Sequence, residues 1–90
     1  MITTSAEHGK IKVLKALADE TRLNIVELLA DGELCVCQIF PKIKRTQSTV
    51  SLQLAKLERA GILESRRDGQ KIYYKISNRN VLKIIKMLGD

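Results

Sequence analysis

The chain has 90 residues, enough for one domain spanning positions 1–90, and a formal net charge of +6 at pH 7. It has no run of about 18 apolar residues and no basic-then-apolar leader, so we expect a soluble cytoplasmic protein with no membrane partner. Its two cysteines lie only two positions apart, which is too close to cross-link distant parts of a fold and argues against a secreted disulfide scaffold.

The first third of the chain predicts a loose arm and two helices. Residues 1–7 are small and polar, whereas residues 10–18 have apolar side chains around much of a short helix. Such a helix is buried on two sides or packs against a second copy of the chain. A second helix is predicted for residues 19–30, because Asp19 is a good N-cap and the pair Asp31–Gly32 ends the apolar periodicity.

A short third helix is predicted beside the cysteine pair. Leu34 and Cys35 fit a brief extended segment, and residues 36–43 fit a helix. Pro41 removes a backbone hydrogen bond inside this helix, so we expect the helix to be kinked or short. Cys35 and Cys37 therefore lie at a helix start, where the helix dipole and free backbone N–H groups favour the thiolate form.

Residues 46–57 are predicted to form a helix that reads DNA, the reading helix. Their apolar positions recur at helical spacing and can pack on a core, with Thr46 as N-cap and Gly61 as the C-terminal stop. A structural surface helix usually exposes Glu and Lys, whereas this helix exposes short hydroxyl and amide side chains. Such side chains suit close approach to a groove and hydrogen bonds to base edges. A merely solvated helix is the alternative.

The last third of the chain predicts a β-hairpin and a final helix. Residues 62–66 fit one strand, Asp68–Gly69 is a strong turn signal, and residues 71–76 alternate as a second strand. The hairpin tip, residues 66–71, is basic. The final helix begins after Asn78 and has more apolar side chains than one face of a monomer needs, which favours a dimer.

The order of these elements and the location of the charge both indicate DNA binding. The order is that of a winged helix-turn-helix, a mainly α fold with a β-hairpin wing (α+β), in which one helix enters the major groove. Residues 42–75 include nine basic and three acidic residues, whereas the rest of the chain has seven of each. All of the net charge therefore lies where phosphate binding is expected. A winged helix that binds protein or RNA is the alternative.

Three segments in order carry a resemblance to a known family. They are Ala-Asp-Glu-Thr-Arg-Leu at 18–23, Gly-Glu-Leu-Cys-Val-Cys at 32–37 and Leu-Glu-Arg-Ala-Gly-Ile-Leu at 57–63. Over nearly its whole length the chain resembles the ArsR/SmtB family of metal-sensing repressors, and most of all the arsenical-resistance branch. The resemblance implies a homodimer built from the first and last helices. It also implies that this dimer occupies a palindromic operator in double-stranded DNA until a toxic ion releases it.

The resemblance further implies which side chains contact DNA. Gln47, Ser48 and Ser51 are the groove-facing positions, and Leu52 stands where many relatives have histidine. Leu52 either contacts a thymine methyl group or points inward. The cations that we expect on phosphates are Lys44, Arg45, Arg66, Arg67 and Lys71.

Cys35 and Cys37 are the candidate metal ligands. As(III) and Sb(III) are soft ions that prefer pyramidal coordination by thiolates, so they are the leading inducers, ahead of other soft metal ions. No cofactor is required. Two alternatives stay open: a redox switch that uses the same cysteine pair, and two partly buried apolar residues with no sensing role.

The cysteine site departs from the family pattern in one respect. The best-known arsenic sensors have a third cysteine three residues after the second, where this chain has Phe40. A third ligand would be water, a small thiol or another part of the dimer, such as His8. We expect no enzymatic activity, because the chain has no Cys-x-x-Cys, no histidine neighbouring the cysteines and no cofactor-binding glycine loop.

Overall fold

Within residues 5–89, which are those that the computed structural model describes, there are five α-helices and three strands; side chains are described from residue 9 onward. The helices are α1 (Ser5–Leu17), α2 (Glu20–Leu28), α3 (Val36–Ile39), α4 (Gln47–Arg59) and α5 (Arg79–Leu88). The strands are β1 (Leu34–Cys35), β2 (Leu63–Asp68) and β3 (Lys71–Ile76). Residues 1–4 of the predicted arm and the side chain of His8 lie outside the described part, whereas residues 5–7 of that arm belong to α1 and are not a loose segment. None of the helices within residues 5–89 combines the length and the apolar character that a membrane crossing requires.

One apolar core joins the helices to the base of the wing. Its most deeply buried side chains come from α2, α3, α4, α5 and the segments beside them. They are Ile25, Val26, Leu29, Ile39, Val50, Leu54, Leu57, Ile62 and Val81. Burial of one such side chain stabilises a fold by about 1.5–3 kcal/mol, so this cluster fixes how α4 sits against the wing. The apolar stripe predicted for the reading helix is confirmed, because Val50, Leu54 and Leu57 are each at most 1% exposed.

Side-chain caps begin three of the helices at the predicted residues. Asp19 accepts a hydrogen bond from the backbone N–H of Arg22 at 3.0 Å and begins α2. Thr46 accepts one from the N–H of Thr49 at 3.2 Å and begins α4. Asn78 begins α5 by accepting from the N–H groups two and three residues ahead, at 3.0 and 3.3 Å. Each cap satisfies an N–H group that has no partner inside its helix.

The third helix is shorter than predicted. A regular helix through residue 43 is wrong, because α3 ends at Ile39 and a 3-10 turn, Phe40–Lys42, follows it. Pro41 lies at the start of this turn, where its missing N–H group is not needed. The interruption that we expected from Pro41 is therefore confirmed. In the same way α2 ends at Leu28 and gives way to a 3-10 turn over Leu29–Asp31.

The predicted hairpin is present, and its turn lies one position later than expected. β2 and β3 pair antiparallel, with Asp68 opposite Lys71 as the last pair. The two-residue turn is therefore Gly69–Gln70. Gly69 has φ +65° and Gln70 does not have a positive φ, which fits a type II′ turn. This turn matches the twist of the strands, so the basic tip projects as a compact unit.

A third strand attaches the cysteine segment to the wing. β1 pairs antiparallel with β3, with Leu34 opposite Tyr74 and Cys35 opposite Tyr73, so the sheet order is β1-β3-β2. The brief extended segment predicted at Leu34 and Cys35 is confirmed, but its pairing with β3 was not predicted. Because of this pairing, the cysteines and the wing are parts of one sheet.

Candidate DNA-binding surface and cysteine site

The exposed face of α4 consists of the side chains predicted to contact bases. Gln47, Ser48, Ser51 and Leu52 are all exposed, whereas the opposite face of the helix is buried in the core. Leu52 is 50% exposed. It therefore points outward, and the inward orientation that the sequence left open does not occur. The face offers two hydroxyls, an amide and one apolar side chain, all short enough to permit close approach to a groove.

Hydroxyl groups organise the beginning of α4. The Thr46 hydroxyl accepts from the N–H of Thr49 and donates to the Thr49 hydroxyl at 2.8 Å, and it lies 3.3 Å from the Ser48 hydroxyl. The preceding turn exposes Lys44 and Arg45, and Arg45 donates to the carbonyl of Lys44 at 2.8 Å. Two cations therefore lie at the N-terminal end of the reading helix, where phosphate is also favoured by the helix dipole.

Arg22 holds α4 in place from the other side. Its Nε donates to the carbonyl of Ala16 at the end of α1, at 2.6 Å, and its Nη1 donates to Oε1 of Gln53 in α4, at 2.8 Å. These bonds connect the first helix directly to the reading helix. In the sequence Arg22 stands out only as part of the family segment 18–23, since no local pattern indicates a partner 31 positions away.

On the wing, Arg66 is engaged within the molecule. Its guanidinium donates to both carboxylate oxygens of Glu33, at 2.8 and 2.9 Å, and lies 4.4 Å from the centre of the Tyr73 ring. The Arg66 hydrogen bonds lower the pKa of Glu33. Arg67 and Lys71 are exposed on either side of the turn. Of the three cations predicted at the tip, Arg66 thus braces the wing while the other two face outward.

Tyr74 belongs to the inner face of the wing. It packs against the core and is half-buried. Burial raises the pKa of its hydroxyl, and the neighbouring Glu58 carboxylate raises it further. Both causes reflect the packing of Tyr74 at the base of the hairpin.

The two cysteines differ sharply in exposure. Cys35 ends β1 and caps α3, and it is only 3% exposed, whereas Cys37 is exposed on the first turn of α3. Their sulfurs are joined as a disulfide, with Cα atoms 5.1 Å apart. The Cys37 N–H donates to the Cys35 sulfur at 3.2 Å, and Gln38 Oε1 accepts from the Cys35 N–H at 2.9 Å. This is a capping box with sulfur in the place of a hydroxyl.

The cysteine pair offers two sulfur ligands to a soft ion once it is reduced. Among the described residues, no three His, Cys, Asp or Glu side chains are grouped so that they could hold a metal ion. Phe40, which stands at the position of a third cysteine, instead packs against the core. A three-coordinate ion would therefore need a ligand from outside this group.

One groove contains both the cysteines and part of the reading face. It has a volume of about 620 Å³ and lies between the start of α3, the exposed face of α4 and the tip of the wing. Cys37, Gln47, Ser51 and Lys71 are among the residues that line it. In the sequence these residues belong to two separate predicted sites, and folding brings them together.

Comparison with known sequences identifies the family. A family model described as bacterial regulatory proteins of the arsR family matches residues 19–65. The chain is 40% identical over 80 residues to a helix-turn-helix transcriptional regulator of Methanocaldococcus jannaschii, covering 88% of this chain and 90% of that protein. It is 44% identical over 68 residues to the arsenical resistance operon repressor of Escherichia coli, covering 74% of this chain and 58% of that protein. The chain thus spans less than two thirds of the E. coli repressor.

Solved structures agree with the sequence comparison. HlyU from Vibrio cholerae matches with a TM-score of 0.88 at 32% identity, over 96% of this chain and 94% of that one. The reduced form of the same protein matches with a TM-score of 0.86 at 34% identity, over 92% of this chain and 87% of that one. A homodimeric winged helix-turn-helix DNA-binding domain from Mycobacterium bovis matches with a TM-score of 0.84 at 32% identity, over 98% of this chain and 86% of that one. The chain belongs to the ArsR family, whose members are DNA-binding transcriptional regulators rather than enzymes.

Proposed function

We propose that the chain is a homodimeric repressor that binds a palindromic operator through α4 and the wing and leaves it when a thiophilic inducer binds Cys35 and Cys37. The observation that supports operator binding best is the exposed face of α4, which is short and polar and has exposed cations on both sides. Lys44 and Arg45 precede it, and Arg67 and Lys71 lie on the wing. Cations of this kind fix the register on phosphates, and the side chains between them select the bases.

Specific binding is tested by removing one polar group from this face. Ser51→Ala and Gln47→Ala should each lower the ratio of operator affinity to random-DNA affinity. The corresponding loss in the free-energy preference for operator is about 1–3 kcal/mol for each lost base contact. The operator is first selected from a random DNA library with the wild-type protein, and affinities are then measured by fluorescence anisotropy. Ser77→Ala, on the link between the wing and α5, is the matched control and should leave the ratio unchanged. An unchanged ratio in Ser51→Ala and Gln47→Ala would refute the assignment of these residues.

The inducer that we propose is As(III) or Sb(III), with other soft ions as competitors. Two thiols two positions apart at a helix start suit a soft, thiophilic ion. The arsenical resistance operon repressor of E. coli, to which the chain is 44% identical over 68 residues, supports this class. Because Phe40 supplies no thiol, we propose that water, a small thiol or the second protomer completes the coordination.

The inducer is tested with the exposed thiol. Cys37→Ser should bind the operator as tightly as wild type, because the side chain is replaced by an isostere outside the core, but arsenite should no longer release it. The measurement is anisotropy of the protein–operator complex in reducing buffer with arsenite, antimonite, cadmium and zinc titrated in parallel. Normal release of Cys37→Ser by arsenite would exclude this site.

A second candidate function is redox sensing by the same pair. The disulfide between Cys35 and Cys37 supports it, as does the likeness to HlyU, which has been solved in a reduced form. The two functions differ in what releases DNA. A redox sensor responds to an oxidant in metal-free buffer, whereas a metalloid sensor requires reduced thiols and the ion.

A further inference from the structure

The two sulfurs of the cysteine pair differ in what can reach them. Cys35 is 3% exposed, its backbone pairs with Tyr73 of β3, and its sulfur accepts the helix-start N–H of Cys37. Both cysteines line the groove, but only Cys37 of the two is exposed. A reagent larger than a single ion therefore meets far more of Cys37 than of Cys35, and exchange is favoured at Cys37, since it requires direct contact between the attacking and attacked sulfurs.

The groove beside Cys37 is large enough for a small organic group. Its volume of about 620 Å³ falls within the range of roughly 300–1,000 Å³ that is usual for small-molecule sites. Its rim includes Gln47 and Ser51 of α4 and Lys71 of the wing. A group attached to Cys37 would lie against these three side chains, and Lys71 would favour a negative charge on it.

We propose that Cys37 is a modification site for low-molecular-weight disulfides of anionic thiols, and that the attached group fills the groove and displaces DNA by direct contact. The inference rests on the proposed function, because Gln47, Ser51 and Lys71 must face DNA for the attached group to matter. It adds a chemical class of effector and a direct means of release.

The chemistry is thiol–disulfide exchange. The Cys37 thiolate attacks one sulfur of the small disulfide, the disulfide bond breaks, and a Cys37–S–S–R bond forms. The other half leaves as a thiolate and takes the proton that Cys37 lost. The attached group occupies the groove until Cys35 attacks the Cys37 sulfur, which forms the intramolecular disulfide present in the structure and releases the second small thiol. In sum, two protein thiols are oxidised and one small disulfide is reduced to two thiols.

Single-thiol variants separate the two steps. Cys35→Ser retains only the Cys37 thiol and keeps a good N-cap for α3, so it should fold, while Cys37→Ser retains only the buried thiol. Oxidised glutathione is the probe, intact mass follows the adduct, and anisotropy follows operator binding. We expect Cys35→Ser to form the adduct at least about tenfold faster than Cys37→Ser, because its remaining thiol is exposed whereas that of Cys37→Ser is almost fully buried. The adduct should weaken operator binding at least about tenfold, equivalent to 1.4 kcal/mol, and dithiothreitol should restore it.

Two controls test whether the groove is responsible. Methyl methanethiosulfonate places a small neutral group on the same sulfur and should change operator affinity less than about twofold, because it removes little of the contact area. Asp31→Cys in a Cys35→Ser/Cys37→Ser background places a glutathione adduct outside the groove and should leave binding intact. Equal affinity losses in either control, or an adduct that binds operator normally, would overturn the proposal.

Failure of the proposed function would look different. In that case the unmodified single-thiol variants would show no preference for operator over random DNA. The relative rates of adduct formation would still decide whether Cys37 is the accessible thiol, and equal rates in the two variants would overturn the proposal independently of DNA.

Discussion

At the scale of single residues, Glu33 and Arg66 connect the cysteine segment to the wing. The Arg66 guanidinium holds the pKa of Glu33 below its ordinary value of 4.5 through hydrogen bonds of 2.8 and 2.9 Å. Because this pKa is lower in the folded than in the unfolded chain, the pair stabilises the fold at pH values above the ordinary pKa of Glu33. That contribution is lost as the pH falls through the folded value. Arg66→Met should therefore return the pKa of Glu33 to its ordinary range, as followed by NMR of the side-chain carboxyl carbon. Arg67→Met removes the same charge from an exposed neighbour and is the matched control. A Glu33 pKa that moved equally in both variants would mean that general charge, not this contact, sets it.

At the scale of elements, the end of α4 depends on one glycine. Gly61 has φ +78°, its N–H donates to the carbonyl of Glu58 at 3.0 Å, and the N–H of Ile62 donates to that of Leu57 at 3.0 Å. This is a Schellman motif, which turns the chain from the reading helix into β2. A Cβ at Gly61 would meet no atom within 4 Å, so only the backbone conformation opposes substitution. Gly61→Ala should lower the free energy of unfolding by about 1–2 kcal/mol, measured by urea denaturation at fixed protein concentration. Gly9→Ala, inside α1 and equally free of contacts, should instead raise it by about 0.5–1 kcal/mol. Changes of the same sign would contradict this account.

Contacts between residues close in the chain were predictable from the sequence, whereas contacts between distant residues were not. The caps at Asp19, Thr46 and Asn78 were predictable because each depends on hydrogen bonds within three residues. The apolar stripe of α4 was predictable from its period. The Arg22–Gln53 bond, the Glu33–Arg66 pair and the β1–β3 ladder join residues more than 30 positions apart, so no local pattern could indicate them. The groove follows from these long-range contacts, which is why the cysteines and the reading face appeared as separate sites in the sequence.

At the scale of the whole molecule, α1 and α5 expose apolar side chains that a second copy would cover. Leu14 is 56% exposed, Met87 84% and Leu88 73%. We predict that Leu14→Glu yields a monomer, because a charge buried between two apolar faces is strongly unfavourable. A monomer reaches only one half of a palindrome and loses the benefit of simultaneous contact, which is worth about 10²–10⁴ in affinity. Sedimentation velocity should show the monomer, and anisotropy should show a loss of operator affinity of that order. Leu52→Gln is the matched control, since Leu52 is equally apolar and 50% exposed but lies on the reading face. It should leave the dimer intact and alter only DNA binding. If Leu14→Glu stayed dimeric with normal operator affinity, the two half-sites would have to be held together by a surface other than α1 and α5.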